Sequence, residues 1–165
     1  MKRLLLFFIL HSFFHKTNAQ TIEQKINVFA KSFIHALATE NIDSMIALKP
    51  SPAIWRSLMP AETKKMSDND INKAVNSNEK FIIDFNNIIQ SAKDEKVNLK
   101  ALTFTDAKFG ESIMDGKILS VEIKYKYLVK DEVIFSLTIV EYQNKYYLYD
   151  ILMSYQIFKR YYFNR

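Results

Sequence analysis

Three groups of side chains in this sequence could do chemistry. Asp84 lies in "FIIDFNN", between Ile83 and Phe85. A carboxylate pressed against apolar groups has a raised pKa and can serve as a general base, although Lys80, four residues earlier on a helix, could pair with it instead. His35 is the single histidine beyond the first nineteen residues. It could act as an acid–base group at a pocket mouth or sit at the boundary of an apolar stripe. The third group is aromatic: Trp55 is the only tryptophan, and seven of the nine tyrosines fall between Tyr125 and Tyr155. On a strand, Tyr125 and Tyr127 share one face, as do Tyr147 and Tyr149. Each pair reads as cross-strand packing, as the lining of a ligand pocket, or as a sheet-mediated dimer face.

Other chemistries lack their residues. The chain has no cysteine, so a thiolate–imidazole zinc site, a disulfide and a cysteine nucleophile are all unavailable. A serine triad would have to use His35, and no GxSxG sequence occurs. Gly110 and Gly116 are the only glycines, too few for a phosphate-binding loop or a dinucleotide fingerprint. No metal and no cofactor are expected. Acid–base chemistry remains open, with Asp84 or His35 working beside a tyrosine hydroxyl in an isomerase, dehydratase or cyclase.

The elements that must position these residues follow from periodicity. Ile22, Ile26, Phe29, Phe33 and Leu37 form one stripe of an amphipathic helix over 22–38. Asn41 or Asp43 can cap a short second helix, which Pro50 and Pro52 end. "AIWRSLM" predicts one or two turns closed by Pro60. Ser67 or Asp68 then caps a long helix over 68–93, whose stripe includes Ile71, Val75, Asn78, Ile82, Phe85 and Ile89. After "KDEK" the period changes to two. "LKALTFTDAKF" reads as a strand, Asp115-Gly116 as a tight hairpin turn, and Val121 to Leu152 as three further strands with turns at "KDE" and "QNK". Helices followed by an antiparallel meander of about four strands predict an α+β fold, with N-terminal helices packed on one face of a curved C-terminal sheet.

The opening "ALATENIDSMIALKP" and the ending "QNKYYLYDILMS" resemble the cone-shaped superfamily of nuclear transport factor two, ketosteroid isomerase and scytalone dehydratase. In the ending, Lys145, Tyr146, Leu148, Asp150 and Ile151 occupy the positions of its polar turn, aromatic, aliphatic and acidic pattern. The resemblance implies a curved sheet and helices that enclose a pocket, often with dimerisation through the sheet's outer face. The lysine-rich segment between Trp55 and Ile71 departs from that pattern, since it leaves no clear place for the strand that follows the second helix there.

Lys2 and Arg3, an apolar run from Leu4 to Phe14, and the exit Thr17-Asn18-Ala19 read as a secretory signal over 1–19, with a retained anchor as the alternative. Without a cysteine, lipid attachment at a mature N-terminal thiol is excluded. Lys2, Arg3 and Lys16 lie in this segment and no acidic residue does, so its removal lowers 23 basic residues to 20 against 18 acidic, and the net charge from +5 to +2. The basic residues left are dispersed, which argues against a nucleic-acid partner. With 48% hydrophobic residues in the full sequence, residues 20–165 can still build one domain with a full core. The expectation is an exported, periplasmic or extracellular domain that meets a membrane only during export. It would be non-enzymatic, binding a small apolar ligand or a protein partner, with self-association as a dimer; a subunit of an envelope or secretion assembly is a further alternative. Trp55, Tyr125, Tyr127, Tyr147 and Tyr149 are the candidate ligand contacts.

Overall fold

The computed structural model describes residues 21–76, 78–113, 118–128, 132–152 and 158. The expected signal segment 1–19, the Asp115-Gly116 turn, Lys130 and Asp131 of the following turn, and Tyr155 lie outside the described residues.

Helix α1 runs Ile22–Ala38, where the apolar stripe places it. A capping box starts it. The Thr21 hydroxyl accepts from the Gln24 amide at 3.2 Å, and Gln24 Oε1 accepts from the Thr21 amide at 3.1 Å, which satisfies two end donors. Asn41 caps α2 (Ile42–Ile46), and Ser51 caps α3 (Pro52–Leu58), whose proline at the first position leaves no extra donor. Short helices α4 (Pro60–Thr63) and α5 (Asp68–Ile71) follow.

The long helix expected over 68–93 is broken. Helix α5 passes into a π-helical turn at Asn72–Asn76, and α6 begins afresh as Glu79–Asp94. The cause is Asn78, whose backbone is extended (φ −67°, ψ 154°) and whose side chain accepts from the Phe81 amide at 2.8 Å. Asparagine is as apt for a cap as for a helix face, and here the cap prevails. The first strand also starts later than the alternation suggests, because Leu99–Ala101 closes into a 3₁₀ turn capped by Asn98.

Strands β1 (Thr103–Ile113), β2 (Ile118–Lys126), β3 (Glu132–Tyr142) and β4 (Lys145–Leu152) form an antiparallel sheet in the order β1-β2-β3-β4, not closed into a barrel. Gln143 and Asn144 both have positive φ, as a two-residue hairpin of the right twist requires. One face of the sheet, carrying Val121, Ile123, Tyr125, Phe135, Leu137 and Leu148, buries the stripes of α1 and α6. Phe158 enters the same core, edge-on to Phe135 at 6.0 Å.

The other face is not bare, contrary to the expectation of helices on one side only. Trp55 of α3 and Ile71 of α5 form a second buried cluster with Ile118 and Val140. The chain between α2 and α3 passes the β4 edge on its way from one face to the other.

Candidate functional site

Along the β4 edge the α2–α3 connection behaves almost as a fifth strand. The Leu148 amide donates to the Leu48 carbonyl at 2.8 Å. One residue on, Lys49 extends its side chain inward, and its Nζ donates to the Tyr149 carbonyl at 2.8 Å. That carbonyl is offered by a bulge. Ile139 pairs with Leu148 and Thr138 with Asp150, so Tyr149 has no partner across the ladder. Lys49 is only 4% exposed, and its ammonium lies 3.8 Å from the centre of the Phe81 ring. Burial pushes its pKa from the ordinary 10.5 down to about 8, with Lys80 acting in the same direction and Asp150 against it.

Asp84 sits at the same seam. Its Oδ2 accepts from Lys80 Nζ at 2.7 Å, and the same ammonium lies 3.4 Å from both Asp150 oxygens. The hydrogen bond to Asp84 raises the pKa of Lys80. Two lysines and two aspartates therefore meet where α6 starts against β4, and their formal charges cancel. The i, i+4 pairing with Lys80 open to Asp84 in the sequence is the one formed.

The candidate aromatic residues separate into three places. Trp55 is buried, and its Nε1 donates to Asn76 Oδ1 at 3.1 Å. Asn76 Nδ2 in turn donates to the Pro50 carbonyl and to Asn72 Oδ1, both at 2.9 Å. The π-helical turn is what carries Asn76 into this position. Tyr149 packs edge-on to Trp55 at 5.7 Å, and Tyr147 lies against the same cluster. Tyr125 is enclosed in the main core, where its hydroxyl donates to the Ala30 carbonyl at 2.6 Å and burial pushes its pKa up. Tyr127 ties the connection after α6, accepting from the Asn98 amide at 3.2 Å and donating to the Lys96 carbonyl at 3.4 Å. His35 is exposed on the outer side of α1. The fold thus brings Trp55, Tyr147, Tyr149 and Asp84 to the β4 side and leaves Tyr125, Tyr127 and His35 elsewhere.

Beside that seam, α1, the end of α2 and the β3–β4 hairpin enclose a groove of about 300 Å³. Phe29, Val28, Ala47, Leu48, Tyr146 and Tyr147 supply its apolar walls, and Lys25, Ser32, Asn144 and Lys145 its polar rim. Lys25 is held by Glu141 at 2.5 Å, a hydrogen bond that raises its pKa, and stands 5.4 Å from the Tyr146 ring. Val28 is 59% exposed, an apolar side chain off the buried stripe of α1. Of these walls only Tyr147 was among the ligand contacts expected from sequence; Val28 falling off the stripe was the available sign. A second hollow of about 370 Å³, on the sheet face away from α1, is lined by Lys108, Ser120, Glu122, Ser136 and Leu152 among others, with apolar walls as extensive as those of the groove. Among the described residues no three histidine or acidic side chains gather as a metal site, and no helix is long and apolar enough to cross a membrane. Comparison with protein-family models, with curated proteins and with solved structures finds no match to this chain, and the functional reading rests on the groove and the seam beside it.

Proposed function

We propose that this protein is a non-enzymatic binding domain whose groove between α1 and the β3–β4 hairpin takes a small apolar ligand. The observation that carries this reading is an exposed valine facing a half-open apolar wall. Val28 stands on one side, Leu48, Tyr146 and Tyr147 on the other, around a space at the small end of the range typical of small-molecule sites. The ligand's body would replace water along these walls, and the rim at Lys145 and Asn144 would orient one polar end. The order of helices followed by a meander supports placing this groove on a scaffold of the cone-shaped kind. The positively led, short apolar segment at 1–19 supports action outside the cytoplasm.

The pocket-enzyme reading draws less support. His35 is exposed, Asp84 is engaged by Lys80, and the hydroxyls of Tyr125 and Tyr127 are committed to backbone groups. The space between the helices and the sheet is filled by Phe33, Tyr125, Phe135 and Phe158.

Titration of residues 20–165 with the neutral probe N-phenyl-1-naphthylamine tests the groove. Fluorescence enhancement should saturate, and Val28→Asp should weaken it about tenfold, equivalent to about 1.4 kcal/mol. Ile134→Asp, an equally apolar-to-charged change on a different exposed surface, should leave it intact. Equal binding by the Val28 variant, or no saturable enhancement at all, overturns the small-ligand reading; the latter outcome would favour a protein partner.

A further inference from the structure

The two edges of the sheet are treated differently. The β4 edge is covered by Leu48 and Lys49, whereas β1 makes no backbone hydrogen bond beyond β2 among the described residues. An open edge is a row of unpaired backbone donors and acceptors, and proteins guard such rows with bulges and charges. β1 has both. Register shifts between Phe104 and Asp106 and between Phe109 and Ser112 bracket a regular stretch, Asp106 to Phe109.

The charges on that stretch do more than repel. Asp106 lies opposite Lys124 of β2 and Lys108 opposite Glu122, on the sheet face away from α1. None of these four residues belongs to an ion pair among the described residues. Asp106 is held along the strand by the Ala107 amide, which donates to its Oδ1 at 2.8 Å. Now let a second copy of β1 approach antiparallel, with a two-fold axis through Ala107. Asp106 of each copy then faces Lys108 of the other. The row across the junction reads Lys124, Asp106, then Lys108 and Glu122 of the second copy, alternating in sign throughout. A two-fold axis at Asp106 would oppose two aspartates, and one at Lys108 two lysines. Of these three registers, only the one centred on the small Ala107 satisfies every charge, and the two-fold keeps the α1-covered faces of both copies on the same side.

We propose that β1 is a self-association edge, pairing antiparallel with a second copy of this chain about Ala107 to give a continuous eight-stranded sheet. The charge pattern excludes strands of other sequence while admitting this one, so the guard on the edge doubles as its specificity. A register limited to a few residues makes the association weak and concentration-dependent. This inference is independent of the groove, which lies at the opposite edge of the sheet.

The test is sedimentation velocity over a concentration series of residues 20–165, with Asp106→Lys and Lys108→Asp alone and mixed. Both side chains are exposed, but each reversal sets like charges opposite each other across β1 and β2, so a small drop in melting temperature is expected, and a cooperative melt confirms that each variant is folded. Wild type should dimerise. Each variant alone places like charges opposite each other twice and should associate about tenfold or more weakly, since like-charge juxtaposition costs more than 1 kcal/mol. An equimolar mixture restores both opposite-charge pairs and should dimerise as the wild type does. A wild type that stays monomeric throughout overturns the proposal, including the case in which another segment of the chain covers β1. A mixture no tighter than its components overturns it as well.

Discussion

Replacing Lys49 by methionine separates the electrostatic cost of this residue from its packing. Native Lys49 has a pKa of about 8 against an ordinary 10.5. Each pH unit of that difference is about 1.4 kcal/mol, so the buried ammonium carries about 3 kcal/mol of unfavourable free energy relative to the neutral amine. Below pH 8 both the folded and unfolded chains hold this proton, and the cost is fully present. Between pH 8 and 10.5 the folded protein gives up the proton while the unfolded chain keeps it, so stability rises with pH. Above 10.5 both are neutral and the gain is complete. Lys25 and Lys80 shift the opposite way, which is why the difference between wild type and Lys49→Met must be read. That difference in unfolding free energy, from urea denaturation, should move by about 3 kcal/mol in favour of wild type from pH 8 to 10.5. At neutral pH methionine removes the charge cost but leaves the Tyr149 carbonyl without its donor, a loss of about 1–3 kcal/mol, so the two proteins should be close there. A wild-type-minus-variant difference that stays flat across this pH range would refute the argument.

Two further substitutions address the second face of the sheet. Asn76→Ala strips Trp55 Nε1 of its acceptor and the Pro50 carbonyl of its donor in a buried site, and should lower stability by about 2–4 kcal/mol in urea denaturation. Gly110→Ala would place a methyl group against Ser120 Oγ, which donates to the Glu111 carbonyl at 3.1 Å. The resulting loss of about 1–2 kcal/mol should largely vanish in a Ser120→Ala background, as thermal melts of the four combinations would reveal.

What the sequence disclosed, and what it hid, divides by range. Helix α1 and the four strands were legible because each rests on a local period, 3.6 for Phe29, Phe33 and Leu37, and 2 for Val133, Phe135 and Leu137, which the bulges of β1 and β4 interrupt without hiding. The break before α6 was not, because Asn78 fits the apolar spacing by position while its amide side chain prefers to cap. Lys49 stands before a proline in a polar connection and reads as a surface lysine. Its burial depends on Phe81 and on a bulge a hundred residues away, neither of which leaves a local trace. The groove is hidden for the same reason, since its walls come from α1, the end of α2 and the β3–β4 hairpin. For Asp84, sequence offered two environments, and the ion pair with Lys80 is the one formed. For the tyrosines the shared-face argument was sound, but it could not say which face holds the main core; Tyr125 lies inside it, while Tyr147 and Tyr149 belong to the other cluster.

Phe158 gives the core a deadline. Its ring fills a place beside Phe135, in the same cluster as Phe33 of α1, so the first described helix and a residue made after all four strands share a single interior. During synthesis the helices can coil and the meander can pair, but the cavity reserved for this ring stays open until position 158 has been added. The domain cannot mature segment by segment from its N-terminus. A chain stopped just after β4 would carry every residue of the helices and strands described here and still lack the ring that closes their core.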